Sequence, residues 1–429
     1  MTAPPAQGAV VLERLRELPG GPEVLELAAG REDVELVGGA VRDLLLGVAP
    51  REIDLVLDGS PPSFPDAAVL FARDLAPLLP CEDGEQPQVS VHERFGTAAV
   101  RWSGGRVDIA ARRSEIYERP GALPQVRPGG PAQDLRRRDF TVNAIALALG
   151  GSEPGAMRFV EEALADLQAG RLRVLHDASF QDDPTRLLRL GRYAARLRFA
   201  VESHTAVLAG QALAGGVMAT VSPARIGAEL RLALREADLL GTLGQLAGLG
   251  VLGALDPPMR LERELLADAL QLLPADGRLD LLALGSLLRP VGAPPPDADE
   301  RLRAALEGFE HPAVERAPVI ETALRSEALS REIALAPAPS GLLDLLRGVP
   351  VEAIALAGAL AGAGPGRAAA ERWLAELRHI RLQISGDDLL AAGVQAGPEV
   401  GARLANALRR RLDGTIEPGR DAELQAALR

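Results

Sequence analysis

Lysine is absent from this 429-residue chain, and all 47 basic residues are arginine. Every cationic contact to a phosphate or carboxylate must therefore come from a planar guanidinium, whose paired donors favour bidentate geometry. Cysteine occurs once, at Cys81, which excludes an internal disulfide framework and a cysteine-based zinc site and leaves an inert thiol as the expectation. The five histidines are scattered singly at 92, 176, 204, 311 and 379. The pair His176-Asp177 thus lacks the converging histidines that a metal phosphohydrolase of the HD type requires. No apolar run is long and charge-free enough to span a bilayer, and the first residues lack the basic, apolar, small-residue order of a secretion signal. A cytoplasmic chain without membrane contact is expected.

The 59 acids outweigh the arginines to give a net charge of −12, which argues against non-specific nucleic-acid binding but not against a local basic face. Such a face falls at residues 171–198, where seven arginines (171, 173, 186, 189, 192, 196, 198) stand against three aspartates (177, 182, 183), an excess of four. The length predicts two to four domains. β-Branched residues concentrate before residue 155, and leucine and alanine recur at helical spacing after it, which predicts an α+β head followed by an all-helical remainder. Strands are expected at 34–37, 53–57, 89–91, 98–102 and 106–110, with helices at 11–27, 40–46 and 65–75. Residues 112–130, with Pro120, Pro124 and Pro128, read as a long loop, and helical packing is expected to resume at Leu135. Proline-rich breaks at 290–299 and 336–340 divide the helical portion.

Glu52 and Asp54 lie one residue apart on a predicted strand, so both project from one face and can hold one cation. Mg²⁺ takes one or two carboxylates and leaves positions for phosphate oxygens. Asp108 can add a third carboxylate from a neighbouring strand, either for a second metal or to take a proton from an attacking hydroxyl; otherwise it is a surface acid on an edge strand. Gly38-Gly39 before a helix offers bare backbone N–H groups to a phosphate, with Arg42 one turn on; the plainer reading is a tight strand-to-helix turn. The run from Asp134 to Ala144 holds three arginines, two acids and an asparagine ahead of an expected apolar helix. There Arg138 could meet a triphosphate and Asp139 a ribose hydroxyl, against the alternative of a solvated charge run. In Asp182-Asp183-Pro184-Thr185-Arg186, acids precede a helix start, and Arg186, Arg189 and Arg192 follow at intervals of three. Asp183 and Arg186 together offer an acceptor and donors suited to the Watson–Crick edge of a base, although capping accounts for part of the pattern. Ser385 to Leu390 and Gly393 to Gly401 read as glycine-bounded, capped helix starts.

In this order, these blocks resemble the class II tRNA nucleotidyltransferase and bacterial poly(A) polymerase family over roughly residues 30–255. Leu36-Val37-Gly38-Gly39-Ala40-Val41-Arg42-Asp43 with the acid pair resembles its first signature, Asp134 to Ala144 its second, and Asp182 to Arg186 its third. The segment 384–414 is similar to its tail. The resemblance implies a head at 1–150, a neck at 151–240 that carries base recognition, and a helical body and tail at 241–429 that bind the tRNA acceptor arm. It implies Mg²⁺ on Glu52 and Asp54 and triphosphate or ribose contacts by Gly39, Arg42 and Arg138. Base reading falls to Asp183 and Arg186, with Arg189 and Arg192 in support. The implied reaction adds C, A or both to tRNA 3′ ends from CTP and ATP and releases pyrophosphate; the alternatives are a poly(A) polymerase and a catalytically weak RNA binder. Low aromatic content, 3%, fits contact with an RNA helix by shape and backbone. Two departures stand out: Glu52 replaces the family's usual first aspartate, and Phe159 to Ala163 replaces its usual Asp-Pro-Phe-Gly-Gly-like turn.

Overall fold

The computed structural model describes residues 5–58, 66–80, 85–92, 96–336 and 338–429. Cys81 lies outside the described residues. The chain divides into two compact units, residues 1–222 and residues 223–429.

The first unit opens with helices α1 (Pro5–Arg16) and α2 (Gly21–Ala28). The expected single helical stretch over 11–27 is broken at Gly20, whose φ of 79° and close approach to Trp102 both call for glycine. Next come β1 (Glu35–Val37), α3 (Gly39–Leu45), β2 (Ile53–Leu57), α4 (Asp66–Leu75), β3 (Gln88–His92), β4 (Thr97–Trp102) and β5 (Gly105–Ala111). These match the predicted elements to within a residue or two. A hairpin, β6 (Arg113–Ile116) with β7 (Gln125–Pro128), corrects the expectation of an unstructured loop over 112–130. Both strands are largely exposed or half-buried, so no apolar alternation marks them, and pairing rests on backbone hydrogen bonds.

A second correction follows α5 (Pro131–Arg136). In place of an apolar helix, a 3₁₀ turn over Thr141–Asn143 leads into β8 (Ile145–Ala148), which pairs antiparallel with β1 and with β9 (Met157–Phe159). A short apolar run buried on both faces has no distinguishing period, and the open edge of β1 supplied the partner. The resulting seven-stranded sheet has the order β3-β4-β5-β2-β1-β8-β9. Only the β2–β5 pair within it is parallel, with Ile53 opposite Val107 and Asp54 opposite Asp108. Its core includes Leu36, Leu55, Leu57, Ile109, Ile145 and Leu147, each nearly inaccessible. After the sheet come α6 (Ala163–Ala169), β10 (Arg171–Leu172), α7 (Ser179–Asp182), α8 (Thr185–Leu197), β11 (Ala200–Val201) and α9 (Ser203–Ala214). The β10–β11 ladder is a two-residue parallel pair inside an otherwise helical stretch.

The second unit is all helical among its described residues. Helix Ala313–Leu335 packs against Val351–Leu360, whose residues from Glu352 to Ala359 are buried, and Arg263–Leu272 packs on the same helix. A separate small core of Ile384, Leu389, Ala407 and Ala427 ties the last helices together. The expected cap is present there: Ser385 N–H donates to Asp388 Oδ2 at 2.7 Å at the start of Gly386–Ala391. No helix among the described residues is long and apolar enough to cross a membrane.

Candidate active site

The parallel register of β2 and β5 builds the site. Side chains at i and i+2 share a face, so Glu52 and Asp54 emerge beside Asp108, and one ligand oxygen from each lies within 4.8 Å of the others. Asp108 is on an interior strand, between β4 and β2, and not on an edge. This trio is the only group of three or more possible metal-ligating side chains among the described residues. His176 and Asp177 have other partners: His176 lies 3.8 Å from Asp182, and Asp177 pairs with His204 at 2.9 Å.

Two of the three acids, Glu52 and Asp54, resist ionisation. Burial, followed by the charge on Glu52 and opposed by Arg138, pushes Asp54 up to about 7. Burial and then Asp108 raise Glu52. Hard oxygen donors with surplus negative charge suit a divalent cation. Oxygens sharing a small octahedral ion stand about 3–4 Å apart, a separation within reach of the long, partly exposed Glu52 arm. Arg106, two residues before Asp108 on the same face, adds a cation. Its Nη2 lies 2.6 Å from Asp108 Oδ1 and its Nε 4.0 Å from Glu52 Oε2.

The three arginines of the second block go three ways. Arg136 is exposed. Arg137 donates to Asp134 through Nη2 at 2.7 Å and to Glu115 through Nη1 at 3.1 Å, which ties the block to β6. Arg138 donates to Asp134 at 2.9 Å, and its Nη1 is so near Gly38 that a Cβ there would stand 2.6 Å from it. Burial would raise Asp134, but Arg137 and Arg138 override it and hold the carboxyl at about 2.

The remaining predicted residues join one buried network. Arg42, 1% exposed, donates to Asp43 through Nε at 2.8 Å and to Asn143 Oδ1 through Nη1. Asn143 Nδ2 donates to Asp139 Oδ1 at 2.8 Å, and Asp139 Oδ2 accepts from Arg189 Nε at 2.9 Å. Burial would raise Asp139, yet Arg189 and the Asn143 hydrogen bond keep it at about 2. Asp43 also takes Arg196 of α8 at 3.1 Å. Tyr193 lies at the centre, with the guanidiniums of Arg42, Arg189 and Arg192 5.0–5.4 Å from its ring centre and Phe140 edge-on at 5.9 Å. The first, second and third sequence blocks are thus fastened to one another by their own polar side chains.

At the start of α8, Asp183 Oδ1 accepts from Thr185 N–H at 3.1 Å and from Thr185 Oγ1 at 2.6 Å, the capping role foreseen for it. Arg186 is buried and donates to Ser179 Oγ at 2.7 Å and to the Arg137 carbonyl at 2.8 Å. Gly38 N–H donates to Ile145 O at 2.9 Å, and Gly39 begins α3. Arg106, Asp43 and Tyr193 escaped the sequence reading. Arg106 was detectable as a cation at i−2 from Asp108, and Tyr193 as one of two tyrosines in the chain, four residues after Arg189.

Clustered acids on adjacent parallel strands, with an arginine-rich helix fastened beside them, define the head of a nucleotidyltransferase fold. Residues 34–173 match the poly A polymerase head domain. An A-adding tRNA nucleotidyltransferase of Geobacter sulfurreducens is 32% identical over 91% of this chain and 44% of its own length. A CC-adding tRNA nucleotidyltransferase of Deinococcus radiodurans is 37% identical over 51% of the chain and 56% of its own length. The Thermotoga maritima CCA-adding enzyme, solved with tRNA, aligns at a TM-score of 0.73 with 26% identity, over 95% of this chain and 94% of that one. Residues 34–173 are thus similar to the poly A polymerase head domain, and the chain resembles tRNA nucleotidyltransferases along most of its length. It spans about half the length of these two curated relatives.

Proposed function

We propose that this chain is a Mg²⁺-dependent, template-independent RNA nucleotidyltransferase, acting in the cytoplasm, that adds C, A or both to tRNA 3′ ends and releases pyrophosphate. The observation that carries this reading is the acid trio Glu52, Asp54 and Asp108, held in register on adjacent strands of a head that the Arg42–Asn143–Asp139–Arg189 network joins to α8. Among the possible additions, A is favoured by the relative that aligns over 91% of the chain.

In this reading residues 1–150 form the head, 151–240 the neck, and 241–429 the body and tail that take the tRNA. Glu52 and Asp54 hold Mg²⁺, which when bound neutralises charge on the transferring phosphates. Asp108 takes the proton from the tRNA 3′-hydroxyl as that oxygen attacks the α-phosphate. Gly39 and Arg138 address the triphosphate, with Gly38, whose N–H is held by Ile145 O, shaping the turn beside it, and Asp183 and Arg186 read the base. Arg42, Asp139, Arg189 and Arg192 act on the nucleotide chiefly by fixing the wall behind it, since their guanidiniums and carboxylate are engaged with one another and with Tyr193.

The test offers purified protein tRNA transcripts ending before, within and after CCA, with ATP or CTP singly. One or two nucleotides added only to the matching tRNA end support the reading. Unlimited A tails on any RNA would replace it with the poly(A) polymerase reading, and extension that appears only in Glu52→Asp would replace it with the RNA-binding one.

A further inference from the structure

We propose that Arg106 is an exchangeable counter-ion of the acid trio, competing with the divalent cation so that the site binds metal weakly until a nucleoside triphosphate arrives. This inference rests on the reading of the trio as a metal site. Glu52, immediately before β2, Asp54 on β2, and Arg106 and Asp108 on β5 lie together, because the two parallel strands pair Ile53 with Val107 and Asp54 with Asp108. Three corners of that square are acids and the fourth is a guanidinium. Arg106 makes two close contacts with the same Asp108 oxygen, at 2.6 and 2.8 Å, and reaches 4.0 Å from Glu52. It therefore spends its charge on two of the three groups that would ligate the cation.

A pairing of this kind must be reversible to be compatible with metal binding, and the side chain has that freedom. Arg106 is 37% exposed at its side chain, in contrast to Arg42 at 1%. A cation entering the trio meets a unit positive charge within a few ångströms, and repulsion in a partly solvated setting lowers its affinity about tenfold. The phosphates of an incoming nucleotide give a displaced guanidinium a new bidentate partner. Metal and triphosphate therefore load together, and in their absence Arg106 offsets part of the trio's charge.

The experiment titrates the full chain with Mn²⁺ alone, without nucleotide, and counts free ion by its electron paramagnetic resonance signal. Wild type, Arg106→Gln, Arg106→Lys and Asp54→Asn are compared, with Arg106→Ala in reserve if the glutamine variant does not fold. The expected result is binding about tenfold tighter in Arg106→Gln than in wild type, within about threefold of wild type in Arg106→Lys, and lost in Asp54→Asn. Equal or weaker binding in Arg106→Gln, with binding still lost in Asp54→Asn, overturns the competition while leaving the metal site intact. Binding that survives Asp54→Asn unchanged overturns the metal reading and this inference with it.

Discussion

Replacing Gly38 by alanine tests whether the strand-to-helix turn and the second block depend on each other. Gly38 has φ 66° and ψ −129°, a region open essentially to glycine alone, and forcing an L-residue there costs about 1–3 kcal/mol. The new Cβ would also stand 2.6 Å from Arg138 Nη1. Arg138 is largely buried and holds Asp134 at 2.9 Å, so moving it disturbs a charge-assisted hydrogen bond worth about 1.5–3 kcal/mol. Together these give a loss of about 2.5–6 kcal/mol, or about 5–24 °C in the thermal transition of a unit of this size. Gly39→Ala is the internal control. Its Cβ would meet the Arg42 guanidinium at ordinary contact distance, with Nη2 nearest at 3.5 Å, inside a helix where alanine is favoured, so its stability should shift by less than about 1 kcal/mol. Circular-dichroism melts of the three proteins read the difference. Nucleotide-addition kinetics then follow Arg138, whose charge lowers Asp54: kcat/KM should fall in Gly38→Ala beyond any loss of folded protein. If Gly38→Ala melts within about 2 °C of wild type, the coupling argued here between the turn and Arg138 is wrong.

Burial and Glu52 raise Asp54 to about 7, so divalent-cation binding must displace a proton below that pH. Affinity measured by Mn²⁺ titration at pH 6, 7 and 8 should drop steeply from 7 to 6 and change little from 7 to 8. Asp139 is lowered in the folded state to about 2, so the stability it contributes is present above its ordinary carboxylate value and disappears as pH falls from about 4 through 2. Urea melts should therefore show Asp139→Asn less stable than wild type by about 2 kcal/mol at pH 7, with the gap narrowing as pH falls below 4. Tyr193→Ala removes a ring that contacts three guanidiniums and Phe140 and should cost about 3–5 kcal/mol in the same assay. Tyr193→Phe, which loses only the Arg189 hydrogen bond at 3.2 Å, should cost about 1 kcal/mol.

Local period and spacing carried a good part of this molecule. The short run of branched and aliphatic residues over Ile53–Leu57 reads as a strand, and carrying its period of two one residue back puts Glu52 and Asp54 on one face. Leucine at helical spacing likewise anticipates the all-helical second unit. Strand partners and register depend instead on residues far apart in sequence, chosen by what they bury together. Only that pairing brings Asp108 and Arg106 to the acid pair, and only the open edge of β1 turns 145–148 into a strand rather than a helix. The fate of each arginine is equally non-local. Arg42 and Arg189 read from sequence as phosphate and base contacts, yet the fold encloses Arg42 beside Asp43 and Tyr193 and ties half-buried Arg189 to Asp139 and the same ring, because a buried guanidinium is tolerable only where acids and an aromatic face converge on it.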